Sequence, residues 1–135
     1  AIAEAMFEAL LVAYATSQDP ALPPLTRFRA GLMAYVDLAL SRPDEYRLTF
    51  DAKSQQACVN VEAADKSFDM LVANVASLMD AGLFRPDVPL AVAEAVWACL
   101  HGVVMLLLNQ PEHVDTAPRT LVDTVVDAAI RGFQA

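Results

Sequence analysis

The sequence predicts an all-α domain, a bundle of five to six helices, and three observations carry that prediction. Apolar residues recur at spacings of three and four along nearly the whole chain, as on a helix with one buried stripe. Runs that alternate apolar and polar residues with β-branched side chains, the mark of strands, are missing. Clusters of proline, glycine and aspartate divide the chain into segments of helical length.

Composition sets the frame. Of 135 residues, 56% are apolar and 19% charged, which excludes disorder and points to an unusually apolar interior or interface. This length suits one domain over residues 1–135. The net charge of −8 and the scattered placing of nine basic residues exclude direct binding to nucleic acid, because phosphate neutralisation needs clustered Lys and Arg. Two cysteines, Cys58 and Cys99, are too few for a disulfide framework, and each reads as a small buried hydrophobe within a helix. No basic region followed by an apolar core marks a signal peptide. The chain starts at Ala1, without Met, directly in a helical pattern, as a piece of a longer protein would.

Taken in order, the first helix runs from Ile2 to Ala15, with Ile2, Met6, Leu10 and Ala13 on one stripe, and breaks at Thr16 to Pro20. Pro23 and Pro24 lead into a second helix carrying Leu25, Phe28, Leu32, Tyr35, Val36, Ala39 and Leu40. It must stop at Arg42, because the residue before Pro43 is pushed out of the helical region. Pro43 suits the first position of a short third helix, where Asp44 and Glu45 complement the dipole and Tyr46, Leu48 and Phe50 supply apolar contacts. Asp51 to Gln56 reads as a polar connection. A long helix from about Ala57 carries Val61, Ala64, Phe68, Leu71, Val72, Val75 and Leu78. Gly82 ends it in the left-handed conformation, with Leu83 folding back onto its last turn. After the Arg85-Pro86-Asp87 turn, Asp87 is expected to cap an apolar helix from Val88 to Leu108. Asn109 to Pro118 forms a turn, and a last helix places its apolar face opposite Asp123, Asp127 and Arg131.

The Val88–Leu108 segment carries only Glu94 and His101 as titratable groups and spans roughly 30 Å as a helix. It is long enough to cross a membrane, but a Glu and a His near its middle, and the lack of flanking basic clusters or an aromatic belt, argue against that. A helix packed on both sides accounts for it better. One face meets the chain's own helices; the other, joined by the final helix, meets a second copy in an intermolecular four-helix bundle. The interface expected from these two helices comprises Val96, Val103 and Leu107 with Leu121, Val122, Val125, Val126, Ala129, Ile130 and Phe133, and Gly102 and the neighbouring alanines permit close approach. The competing arrangement is a monomer with a thick core.

Large side chains on facing helices also imply a cavity. Phe28, Leu32 and Tyr35 come from the second helix and Phe50 from the third. Phe68 and Leu71 come from the long helix, and Trp97, His101 and Met105 from the apolar one. Such walls suit an apolar or aromatic small molecule oriented by one or two hydrogen bonds. His101 follows Trp97 by four residues, so both lie on one side of the helix; each reads equally as pocket wall or as core. His101 and His113 lack ligand partners at helical spacing, so no metal site or cofactor is expected. Gly-rich phosphate loops, C-x-x-C, H-E-x-x-H and G-x-S-x-G are all missing, and no enzymatic activity is expected.

Three segments carry a family resemblance. Trp97-Ala98-Cys99-Leu100-His101-Gly102 resembles the Trp-His-Gly signature of one class of TetR-type transcriptional regulators, in their C-terminal ligand-binding domain. Ser41 to Phe50, SRPDEYRLTF, is similar to that class's hPelYrlmF segment, and Ala81 to Asp87, AGLFRPD, to the turn before its penultimate helix. The three come in the expected order and at plausible spacing, and the similarity covers nearly the whole chain. The resemblance implies an all-α regulatory domain that homodimerises through its last two helices and binds a small, mostly apolar effector between its central helices. It implies a cytoplasmic protein with no membrane contact. Members begin with a basic helix-turn-helix domain, which does not precede Ala1 in this sequence, so operator DNA would be reached only through a segment missing here. The alternative function is a stand-alone helical carrier for apolar small molecules.

Overall fold

The computed structural model describes the backbone of residues 2–50 and 61–135 and the side chains of residues 5–50 and 66–135. Among the described residues there are six α-helices: α1 (Ile2–Thr16), α2 (Pro24–Ser41), α3 (Pro43–Phe50), α4 (Val61–Asp80), α5 (Pro89–Asn109) and α6 (Pro118–Phe133). A single 3₁₀ turn, Pro111–His113, joins the last two. The polar connection expected at Asp51 to Gln56, the helix start expected near Ala57, and Cys58 lie outside the described residues.

Local chemistry sets the boundaries. At the end of α1 the Thr16 hydroxyl donates to the Val12 carbonyl at 2.9 Å and the Ser17 hydroxyl to Tyr14 at 2.6 Å, closing the last turn. α2 stops where expected: Arg42, held before Pro43, leaves helical geometry at φ −129° and ψ 62°. α4 ends in a left-handed glycine cap. Gly82 has φ +73°, its N–H reaches the Met79 carbonyl, and the Leu83 N–H reaches back to Leu78. The start of α5 differs from expectation. Its first residue is Pro89, which needs no cap for a missing N–H, and Asp87 instead accepts the Val88 N–H at 2.7 Å without capping the helix.

α2 is the hub, packing against α1, α3, α4, α5 and α6, while α5 is held between α4 and α6. The core runs continuously from Met6 and Leu10 of α1 through Phe28, Leu32 and Val36 of α2 to Val75 of α4, Val96 and Leu100 of α5, and Val122 and Val126 of α6. Burying this apolar surface, at about 25 cal/mol per Å², is the main force that holds the helices together. Two side-chain seams refine the docking. Arg29 of α2 bonds Asp127 at 2.7 Å and Asp123 at 3.3 Å on α6. Arg85 closes the other end: its backbone N–H bonds the Phe133 carbonyl at 2.9 Å and its guanidinium the Gly132 carbonyl at 2.6 Å. A cation at the C-terminus of α6 also complements the helix dipole.

α5 is long and apolar enough, by length and composition, to cross a membrane. In the fold its Val92, Ala93, Val96, Leu100, Val103 and Val104 enter the core. Around its other side Leu90, Ala91, Ala98, Cys99, Gly102 and Leu106 are exposed. Cys99 is therefore not the buried hydrophobe its setting in an apolar helix suggested; it is exposed.

Candidate ligand-binding site

Between α1, α2, α3, α4 and α5 lies a cavity of about 400 Å³. All but α3 contribute residues one turn apart. Phe7, Leu10, Leu11 and Tyr14 come from α1; Leu32 and Tyr35 from α2; Phe50 from the end of α3; Ser67, Phe68 and Leu71 from α4; and Glu94, Trp97 and Leu100 from α5. A missing side chain lets α1 and α2 meet so closely. A Cβ on Gly31 would stand 2.5 Å from the Tyr14 ring, so only glycine lets that ring lie across α2. Asn74 of α4 donates to the Tyr14 hydroxyl from the far side and holds the ring in place.

A chain of hydrogen bonds forms one wall. The Trp97 indole N–H, which can only donate, reaches the Tyr35 hydroxyl at 3.0 Å. The Tyr35 and Tyr46 hydroxyls are 2.6 Å apart, and the Tyr46 hydroxyl is 2.8 Å from His101 Nδ1. Burial raises both phenols above their ordinary pKa, so they remain protonated at any physiological pH. Burial also lowers the pKa of His101, favouring the neutral ring. With Nδ1 as acceptor, every proton is used once, in the order Trp97 to Tyr35 to Tyr46 to His101. The Phe50 ring sits against this chain, 4.7 Å from both Tyr46 and His101 and 6.0 Å from Trp97 between centroids. The neighbouring Arg47 ties α3 to the end of α5, donating to the Leu108 carbonyl and, at 2.9 Å, to the Asn109 side chain.

Of the nine residues the sequence suggested for a pocket, Leu32, Tyr35, Phe50, Phe68, Leu71 and Trp97 line this cavity. Phe28, His101 and Met105 do not. Phe28 is 2% exposed and packs edge-on against Phe84, 5.7 Å away between centroids, below α2. His101 stands behind Tyr46 and Phe50, so it holds the wall and does not form it. Met105 lies one turn further on and packs against the core. The α1 residues, Ser67, Glu94 and Leu100 were not anticipated. A stripe such as Met6, Leu10 and Ala13 tells which face of α1 is buried, not which helices will meet it.

A family model described as tetracyclin repressor-like, C-terminal domain, matches residues 28–129. The chain belongs to this family. No curated protein matches it. Among solved structures, a protein of unknown function from Rhodococcus sp. RHA1 is similar: it is 26% identical with a TM-score of 0.86, and the match covers 99% of this chain and 70% of that one. In this member of the tetracyclin repressor-like family, the segments around Tyr46 and Trp97 meet in space, since Tyr46, Phe50, Trp97 and His101 share one aromatic cluster. The third segment is the glycine-capped turn that aligns α5.

The ten residues expected at a dimer contact divide in two. Val96, Val103, Val122, Val126, Ala129 and Ile130 are buried within the chain, on the faces that α5 and α6 turn toward its own core. Leu107, Leu121, Val125 and Phe133 are half-buried. The strongest apolar stripe of a helix serves the nearest core first. What α5 and α6 turn outward includes small residues, Ala91, Ala98 and Gly102 on α5 with Leu90 and Leu106 beside them, and Thr124, Ala128 and Gly132 on α6.

Proposed function

We propose that this chain, a single body over residues 1–135, is the ligand-sensing and dimerisation domain of a transcriptional regulator. It binds a small apolar or aromatic effector, is cytoplasmic, and alters the DNA binding of a helix-turn-helix segment carried elsewhere in the parent protein. The observation that carries this reading is the cavity of about 400 Å³ with almost wholly apolar walls, in a family of regulator domains. That volume suits a molecule of a few rings.

Signalling follows from the wall that α5 provides. Its Trp97 and Leu100 side lines the cavity, and its Ala98 and Gly102 side is exposed beside α6. Two chains would pair these outer stripes about a two-fold axis, with Leu121 and Val125 completing the contact. An effector that fits one packing of α1, α4 and α5 better than another shifts the population toward it and changes the relation of the two subunits. The test is a thermal-shift comparison of the native chain with a Leu71→Trp variant, using N-phenylnaphthylamine as an uncharged aromatic probe. A site saturated a hundred-fold above its Kd adds about 2.7 kcal/mol of stability. The native chain is stabilised and the variant, its cavity filled, is not. Equal shifts in both, or none in either, would contradict the proposal.

A further inference from the structure

Among the described residues, the walls of the cavity contain one charged group, Glu94, beside neutral hydroxyls from Tyr14, Tyr35 and Ser67 and otherwise apolar side chains. Neither Lys nor Arg is among the described residues that line it. Glu94 is exposed while lining the cavity, which puts its carboxylate at the mouth. Among the described residues it has no ion-pair partner, although Arg29, Arg42, Arg47 and Arg119 all find carboxylates. Three positions on, Trp97 lies on the same face of α5, and its indole meets the Phe68 and Phe50 rings at 6.2 and 6.0 Å between centroids. A carboxylate at the rim of a cavity walled by aromatic rings is a setting for a cation: the charge pairs with the carboxylate and also interacts with the ring faces. An anion would meet that carboxylate and a chain of net charge −8.

We propose that the effector is an amphiphilic cation, an apolar or aromatic body that fills the cavity and bears an ammonium or comparable cationic group which rests at the mouth between Glu94 and Trp97. This inference rests on the reading of the cavity as an effector site, and it adds the sign of the ligand's charge.

The test is displacement of N-phenylnaphthylamine fluorescence by three matched competitors. They are phenylbutyl-trimethylammonium, its uncharged carbon isostere in which tert-butyl replaces trimethylammonium, and phenylpentanoate. The ammonium should displace the probe at the lowest concentration and phenylpentanoate at the highest. Glu94→Gln, a change at an exposed position, should weaken the ammonium about three- to five-fold, as expected for a partly solvated pair. The isostere should be unaffected, and Glu112→Gln, an acidic-to-neutral change on the distant 3₁₀ turn, should alter nothing. If the isostere and the ammonium compete equally, or Glu94→Gln weakens both alike, the charge assignment falls and the effector cavity stands. If the probe itself does not bind, the cavity reading falls and this inference with it.

Discussion

The Tyr46 hydroxyl joins α2 to α5 through a third helix, and its position between Tyr35 and His101 makes it the polar group with most to lose on removal. It belongs to a side chain that is 0% exposed. Tyr46→Phe leaves the Tyr35 O–H without an acceptor and His101 Nδ1 without a donor, at an expected cost of about 1–3 kcal/mol. A denaturant titration should show a lower midpoint at unchanged slope. Trp97→Phe removes only a donor at the edge of the cavity, and its cost should be smaller. His101 gives the chain a pH dependence whose sign follows from burial. Its folded pKa lies below the ordinary value near 6.5, so the unfolded chain takes up the proton first. The stability it contributes is fully present above about pH 6.5 and is lost as the pH falls from there through the folded pKa. His101→Gln, which keeps a neutral acceptor, should flatten thermal stability between about pH 6.5 and 5, above the carboxylate range. An unchanged slope in the variant would place the effect elsewhere.

At the scale of elements, helix existence and most boundaries were legible because they depend on local chemistry. Pro43 stops α2, Gly82 stops α4 and the breaker cluster after Ala15 stops α1, whatever packs against them. The composition of the site was legible only where one helix face has one neighbour. α2 and α4 supplied Leu32, Tyr35, Phe68 and Leu71 as expected, whereas α1 contributes four lining residues that periodicity could not assign to a cavity. That contribution depends on Gly31, a contact between two helices and so invisible along one of them. Gly31→Ala forces the Tyr14 ring off α2 and should cost about 1–3 kcal/mol, the range for overpacking. It should also weaken probe binding, because Tyr14 lines the cavity. Gly82→Ala should behave differently. Space is open around its Cβ, but the positive φ costs about 1–2 kcal/mol. That loss should appear in thermal unfolding with ligand affinity preserved.

For the molecule as a whole, α5 explains both the high apolar fraction and the placing of function. A helix apolar nearly all round must be covered on more than one side. Here the core covers Val92, Val96 and Val103, the cavity takes Trp97 and Leu100, and the Ala98 and Gly102 stripe stays exposed, the face that the proposed dimer would cover. Light scattering should therefore give twice the 14.5 kDa chain mass, and Gly102→Arg, which has open space within the chain, should give the chain mass with folding intact. A native chain that scatters as a monomer would remove the dimer from the account. The sensor reading is tested most directly by titrating N-phenylnaphthylamine while following emission from Trp97, the one tryptophan of the chain and a wall of the cavity. Saturable quenching at one probe per chain, with brightening of the probe and loss of that brightening in Leu71→Trp, is the predicted result. Trp97 emission that does not respond, or a probe that binds the filled variant equally well, would contradict it.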